Sequence, residues 1–317
     1  MGPGRNNPGG RCMGSLEAIR MYPYSTSLMG VVKGILDYYG MAVPDSVAFG
    51  ASGHAFLMNI HEALCPSSPY CWDRSSFDRL LRNLGLEIVH LGFYTAQSCP
   101  EDRSAVERRM REFIDRGVPC ALCNMENQIV SGYDGTGFDT LAPWPGCTDF
   151  PPRRLTSASW SELGSEIHIS FSAYPKCEPR PGSQVRDALE AALDMYGNPS
   201  KYSQDPYSSG LGAYDAWIGA VGSGHGGSHG NWWNSRVWSE CRRMASCWLD
   251  QVAMCSDGPA AAAALELSGM YGSVSRLLAR AGNREIDGGA ETALLREARS
   301  LEASAPSMIS TLLDRLG

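Results

Sequence analysis

Three hydroxyl residues in a row, Ser25, Thr26 and Ser27, stand directly before an apolar helical repeat. At the mouth of a helix the unpaired N–H groups and the dipole favour negative charge, so a hydroxyl there can serve as a nucleophile or help hold an anion. The plainer expectation is that all three only cap the helix. Among the six histidines, His54 follows a Gly/Ser-rich loop, Gly50–Gly53, and is the one expected to face a cleft. His90 and His168 lie in strand-like stretches where neighbours satisfy them. His225 and His229 have HxxxH spacing, but inside GHGGSHG, and that spacing unites two metal ligands only on a helix. A mobile loop over a pocket is the better expectation there. Cys120 and Cys123 form a CxxC within VPCALCN; on a strand, alternation sends the two thiols to opposite faces. Cys65, in the loop CPSSPYCW, has no base in known proximity. With no P-loop, GxGxxG, HExxH or GxSxG either, neither a metal nor a cofactor is expected.

These groups must be held by elements that the spacing makes legible. Leu28, Val31, Val32, Ile35, Leu36 and Tyr39 form one apolar stripe at helical intervals, and Gly40 stands where a C-cap glycine belongs. His54–Met58 reads as a strand, Ser75–Asn83 as a helix ending at Gly85, and Leu86–Leu91 as a strand. Glu101–Arg116 is a charged amphipathic helix. Strands follow at 117–124, Gln128–Tyr133 and Phe138–Ala142, the last two joined by a tight turn at Asp134–Gly137, and again at Glu166–Ser172. Helices followed by a strand meander imply α+β rather than a doubly wound parallel sheet. After the proline-rich Pro175–Pro181 the pattern turns helical, at Ser183–Tyr196, Gly212–Gly222, Asn231–Met254, Pro259–Ala281 and Ala290–Leu316. The expected organisation is a flexible lead-in (1–20), an α+β domain (21–177) and a helical domain (178–317).

Hydrophobic residues make up 43% and charged residues 19% of the 317, enough apolar content for real cores. The net charge is −7 with no Lys/Arg block, which argues against nucleic acid and anionic membranes as partners. No apolar run approaches 18 residues, and the Gly/Pro-rich start lacks the apolar core of a signal peptide. Eleven cysteines without an export signal read as mostly reduced, and a cytoplasmic location is expected. Ala-, Leu- and Trp-rich C-terminal helices admit a homodimer.

The helix ending in Tyr39-Gly40, the stretch FGASGHAF and the strand–turn–strand ENQIVSGYDGTGF together resemble the N-terminal domain of the butirosin-biosynthesis acyltransferase family. They are similar also to the related papain-like proteins called double-glycine-leader-peptidase-like. The resemblance runs from Tyr22 to Ser172, and HGNWWNSRVWSECRRMASCWL resembles the helical C-terminal part of such proteins. It implies a papain-like fold of the cysteine-hydrolase type, with an antiparallel sheet, followed by an α-helical bundle. It places the nucleophile position on Ser27, where the family has cysteine, and the histidine position on Glu126. The third position falls at Leu141–Ala142, where no polar residue stands.

The activity implied is a small-molecule acyl or amide enzyme in biosynthesis, working by transfer, condensation or hydrolysis on a free or carrier-bound acyl substrate. Ser27 and Glu126 would be the central pair, His54 or His61 a helper, and Tyr24, Ser25, Ser52, Asn127 and Trp144 the substrate contacts. A serine hydroxyl needs a strong base against it, and a carboxylate is feeble unless burial raises its pKa. The rival expectation is a catalytically inactive papain-like protein that binds a ligand or partner through the same cleft.

Overall fold

Where side chains alternate, this chain pairs into a sheet, and where they recur every three to four residues it coils. The computed structural model describes residues 14–146, 151–165 and 167–316. The first half runs β1 (Gly14–Ser15), α1 (Ser27–Tyr38), α2 (Asp45–Ala51), β2 (Asn59–His61), α3 (Ser75–Leu80), β3 (Val89–Thr95), α4 (Pro100–Asp115), β4 (Cys120–Asn124) and β5 (Glu126–Tyr133). There follow β6 (Gly137–Thr140), β7 (Arg154–Thr156), β8 (His168–Ala173), α5 (Gln184–Gly197), β9 (Tyr207–Ser209) and α6 (Leu211–Ala220). The chain ends in α7 (His229–Met254), α8 (Gly258–Ala281), α9 (Gly288–Glu302) and α10 (Ala305–Arg315). The architecture is mixed α+β.

Two compact units form. One takes the described residues of Met1–Ala42 and Ile88–Lys176, the other Val43–Glu87 and Cys177–Gly317. A boundary therefore falls at Lys176/Cys177, but the chain crosses twice more, and the segment expected in the α+β domain from Val43 to Glu87 belongs with the helices. The reason is packing: α2 lies on α7 so closely that a Cβ added at Gly50 would sit 2.2 Å from the Trp248 ring.

In the first unit an antiparallel sheet runs β3-β8-β4-β5-β6-β7, with β1 added beside β5 where Gly14 pairs Tyr133. Residues 14–16 are thus no flexible lead-in: Leu16 is buried and its N–H bonds Ser131 O at 2.9 Å. One face of the sheet, with Cys120, Leu122, Val130, Ile169 and Phe171, packs on Val106, Met110 and Ile114 of α4. Cys120 is in that core, and burial pushes its thiol up to about 12, while Cys123 is half-buried on the other face. Helix α1 packs against β5 with Ser27–Leu36 all buried. Its end is a left-handed Gly40 (φ 71°), with Gly40 N–H on Asp37 O and Met41 N–H on Leu36 O, both at 2.9 Å. Gly30 and Gly34 make α1 a track for the preceding chain, since Cβ atoms there would lie 2.3 Å from Tyr22 O and 2.0 Å from Arg20 O.

The second unit is built on α7 and α8, which pack along each other. Arg242 on α7 is wholly buried and donates to Glu302 through Nε (2.9 Å) and Nη2 (2.6 Å), and through Nη1 to Ala55 O (3.0 Å) and Leu57 O (2.7 Å). Tyr196 and Tyr214 each donate to the same carboxylate at 2.7 Å, so every oxygen of the buried anion is engaged. Two expectations are corrected here. His54–Phe56 is a 3-10 turn, closed by Phe56 N–H on Gly53 O after a left-handed Gly53 (φ 75°), and the strand starts only at Asn59, pairing with β9. The stretch 290–316 is two helices, broken at Ala303–Ser304, with Pro306 in the first turn of α10. No helix among the described residues is long and apolar enough to cross a membrane.

Candidate functional site

The site in the first unit begins with a sharp reversal. Asn124 of β4 pairs directly with Glu126 of β5, leaving Met125 alone to turn the chain. Met125 does so at φ 62°, the left-handed region that costs a side-chain-bearing residue about 1–3 kcal/mol, and its side chain is exposed. Asn124 fixes the hairpin laterally, its Oδ1 accepting the His168 N–H at 2.9 Å. Glu126 and Asn127 are thereby delivered to the N-terminus of α1.

Thr26 is the N-cap there, with extended backbone and no side-chain capping bond, and the first turn of α1 contains no acidic residue. Ser27, the first helical residue, bonds outward to the sheet instead. Its Oγ donates to Glu126 Oε2 at 2.7 Å and accepts from the Asn127 backbone N–H at 2.9 Å and from Asn127 Nδ2 at 3.2 Å. A carboxylate across from this helix end is favoured by the dipole, so Glu126 supplies the charge that the helix's own first turn lacks. The expectation that the three hydroxyls merely cap the helix fails for Ser27.

The accounting of lone pairs limits what Ser27 can do. A hydroxyl has one hydrogen to give and two lone pairs, and this one uses all three positions while its residue is 0% exposed. Glu126 is only half-buried, so it is the member of the cluster that meets solvent.

Tyr24 and Trp144 also come together in this unit: the Trp144 indole N–H donates to Tyr24 O at 2.7 Å. Tyr24 is buried and stacks on Tyr22, with ring centroids 5.9 Å apart. Tyr22 in turn hydrogen-bonds the Asp37 carboxylate, which Lys33 pairs at 2.5 Å; burial pushes Asp37 up, and the bonds from Lys33 and Tyr22 with the Lys33 and Arg20 charges together outweigh it and hold the group below its usual value. Ser25 lies half-buried on the same strip of chain.

His54, His61 and Ser52, expected as a helper pair and a substrate contact beside Ser27, belong to the second unit. His54 is 1% exposed, meeting Phe49, Trp72 and Phe77 edge-on at 5.8–6.0 Å, with Nδ1 3.5 Å from Cys241 Sγ. Burial, and then the Arg74 charge, lower its pKa to about 3, so it is a neutral core residue. Its Nε2 has no hydrogen-bond partner among the described residues. His61 Nδ1 accepts the Ala63 N–H at 2.9 Å, with its ring against Tyr207. Ser52 Oγ donates to Phe49 O at 3.1 Å and closes the end of α2.

No protein-family model matches the chain, and no curated protein is significantly similar to it. Of the HxxxH pair, His225 lies in a π-helical turn and His229 begins α7, so the two do not share one regular helix. Among the described residues no group of three His, Cys, Asp or Glu side chains could hold a metal ion. The residue that the sequence reading missed is Met125. Spacing could not have shown it, because the strands expected at 117–124 and Gln128–Tyr133 leave three residues between them, an ordinary hairpin length.

Proposed function

We propose that the first unit is a papain-like module whose former catalytic corner now binds a ligand or partner without covalent turnover. One observation carries this: Ser27 Oγ is fully buried, with its hydrogen and both lone pairs already bonded. A nucleophile must present a lone pair to its substrate, and a base must be free to take the proton at that moment. In this reading Ser27 and Asn127 are positioning residues, and the half-exposed Glu126 carboxylate is the recognition group.

A second reading, an acyl or amide enzyme acting on a free or carrier-bound acyl substrate, is favoured by the same corner. Ser27 is 2.7 Å from a carboxylate, and the Asn127 donors would steady an alkoxide. A fluorophosphonate probe followed by intact-mass measurement separates the two. The binding reading expects no adduct on the native protein at neutral pH. One adduct per chain, absent from Ser27→Ala, would overturn it. The same variant also removes the acceptor of the two buried Asn127 donors and is expected to cost about 1–3 kcal/mol in urea unfolding, whereas Glu126→Gln, which keeps an acceptor for Ser27, costs less.

A further inference from the structure

The second unit contains a cavity of about 670 Å³ at the start of α7, between that helix and the turn after α8. Its volume lies in the middle of the range for small-molecule sites. His229, Trp232 and Arg236 stand at i, i+3 and i+7 on α7, one face of the helix, and Asn283, Arg284 and Glu285 face them from the turn. Hydrogen bonds tie the walls to the fold. Ser228 caps α7 by accepting the Asn231 N–H at 3.0 Å, and Ser235 Oγ donates to Leu278 O at 2.7 Å. A Cβ at Gly282 would lie 2.1 Å from Ser235 Oγ, so glycine is what lets the end of α8 approach. Asn283 Oδ1 accepts the Glu285 N–H at 3.0 Å and orders the turn.

Two of the cavity's lining residues are arginines. Acidic residues outnumber basic ones by 34 to 27, and Arg82, Arg154, Arg242 and Arg299 all pair with carboxylates. Among the described residues neither Arg236 nor Arg284 is in an ion pair, though Glu285 lies on the same wall. The Arg284 guanidinium instead rests 5.4 Å from the Trp232 ring centroid. Arg236 and Arg284 both line this open cavity, and two guanidiniums on one cavity suit a divalent anion, which they can engage bidentately. The Trp232 indole, which carries the Arg284 guanidinium and has the His229 ring centroid 5.3 Å away, suits a planar ring that takes the guanidinium's place. We propose that this cavity binds a small molecule joining a planar ring to a phosphate, of the nucleoside monophosphate type, with phosphate between Arg236 and Arg284 and the ring on Trp232.

The proposal is independent of what the Ser27 corner does. Its test is titration of the full chain with AMP, followed by calorimetry, with adenosine and inorganic phosphate as separate probes. Saturable AMP binding is expected, at least tenfold tighter than either probe alone, weakened about tenfold by Arg236→Ala and by Arg284→Ala, and weakened by Trp232→Leu. Arg236 is exposed, so its removal leaves folding intact and keeps the test readable even if Trp232→Leu misfolds. No saturation below 5 mM, or unchanged AMP binding in the double arginine variant, overturns the site. Phosphate binding as tightly as AMP overturns the ring-stacking half of the proposal.

Discussion

A shift from pH 7 to pH 5 should weaken the second unit through one side chain, His54. Its folded pKa is about 3 against an ordinary 6.5, and it is completely buried, so solvent screening takes nothing off the effect. The sign follows from which state binds the proton. The folded pKa of this base is depressed, so below pH 6.5 the unfolded chain takes up a proton that the folded chain refuses. Stability contributed by neutral His54 is present above pH 6.5 and is lost as pH falls toward 3. At about 1.4 kcal/mol per unit, the loss between pH 7 and pH 5 is about 2 kcal/mol. Urea unfolding followed by tryptophan fluorescence reads this unit well, because Trp72, Trp217, Trp232, Trp233, Trp238 and Trp248 all belong to it. His54→Leu removes both the titrating group and an Nε2 buried without a partner. It should match wild type at pH 7 within about 1 kcal/mol and flatten the acid slope. A wild-type slope that persists unchanged in His54→Leu would refute the argument and move the acid sensitivity to another group.

Two further outcomes test the packing. Glu302→Gln leaves the Arg242 charge buried without its counterion and should cost about 3–5 kcal/mol in the same urea assay, whereas a loss under 1 kcal/mol would show the charge compensated by its carbonyl contacts. Gly34→Ala, normally a gain inside a helix, should lower the melting temperature, because its methyl would meet Arg20 O at 2.0 Å and Ile129 at 2.9 Å, an overpacking cost of about 1–3 kcal/mol; an unchanged or raised melting temperature would refute the close approach.

Periodicity made much of this fold legible, since α1, α4, α7 and α8 and the strands from β4 to β6 all declare themselves by spacing. Spacing says what an element is and not what it lies against. Nothing in the run from Val43 to Glu87 announces that its phenylalanines and tryptophan serve the helical unit, and that is why His54 reads as a cleft histidine while lying among Phe49, Trp72 and Phe77. The Ser27–Glu126 bond spans 99 residues, beyond the reach of any local pattern, and the pair was singled out only through a resemblance. Within the expected lead-in, of which residues 1–13 lie outside the described residues, Gly14 and Ser15 escaped notice for a related reason. Gly14 and Ser15 join the sheet through backbone bonds to β5, which leave almost no trace in side-chain type.

The threefold crossing of the chain sets an order on its synthesis. When Phe49, Phe56, Trp72 and Phe77 leave the ribosome, the residues that will cover them, such as Trp248 and Tyr271, lie up to some two hundred positions away and are not yet made. The sheet unit has its whole sequence by Lys176, while this greasy loop still hangs from it, and the carboxylate that locks Arg242 arrives only with Glu302. A nascent chain built this way carries these aromatics without their later-made partners until α7 and α8 have been synthesised, an exposure that favours aggregation during synthesis.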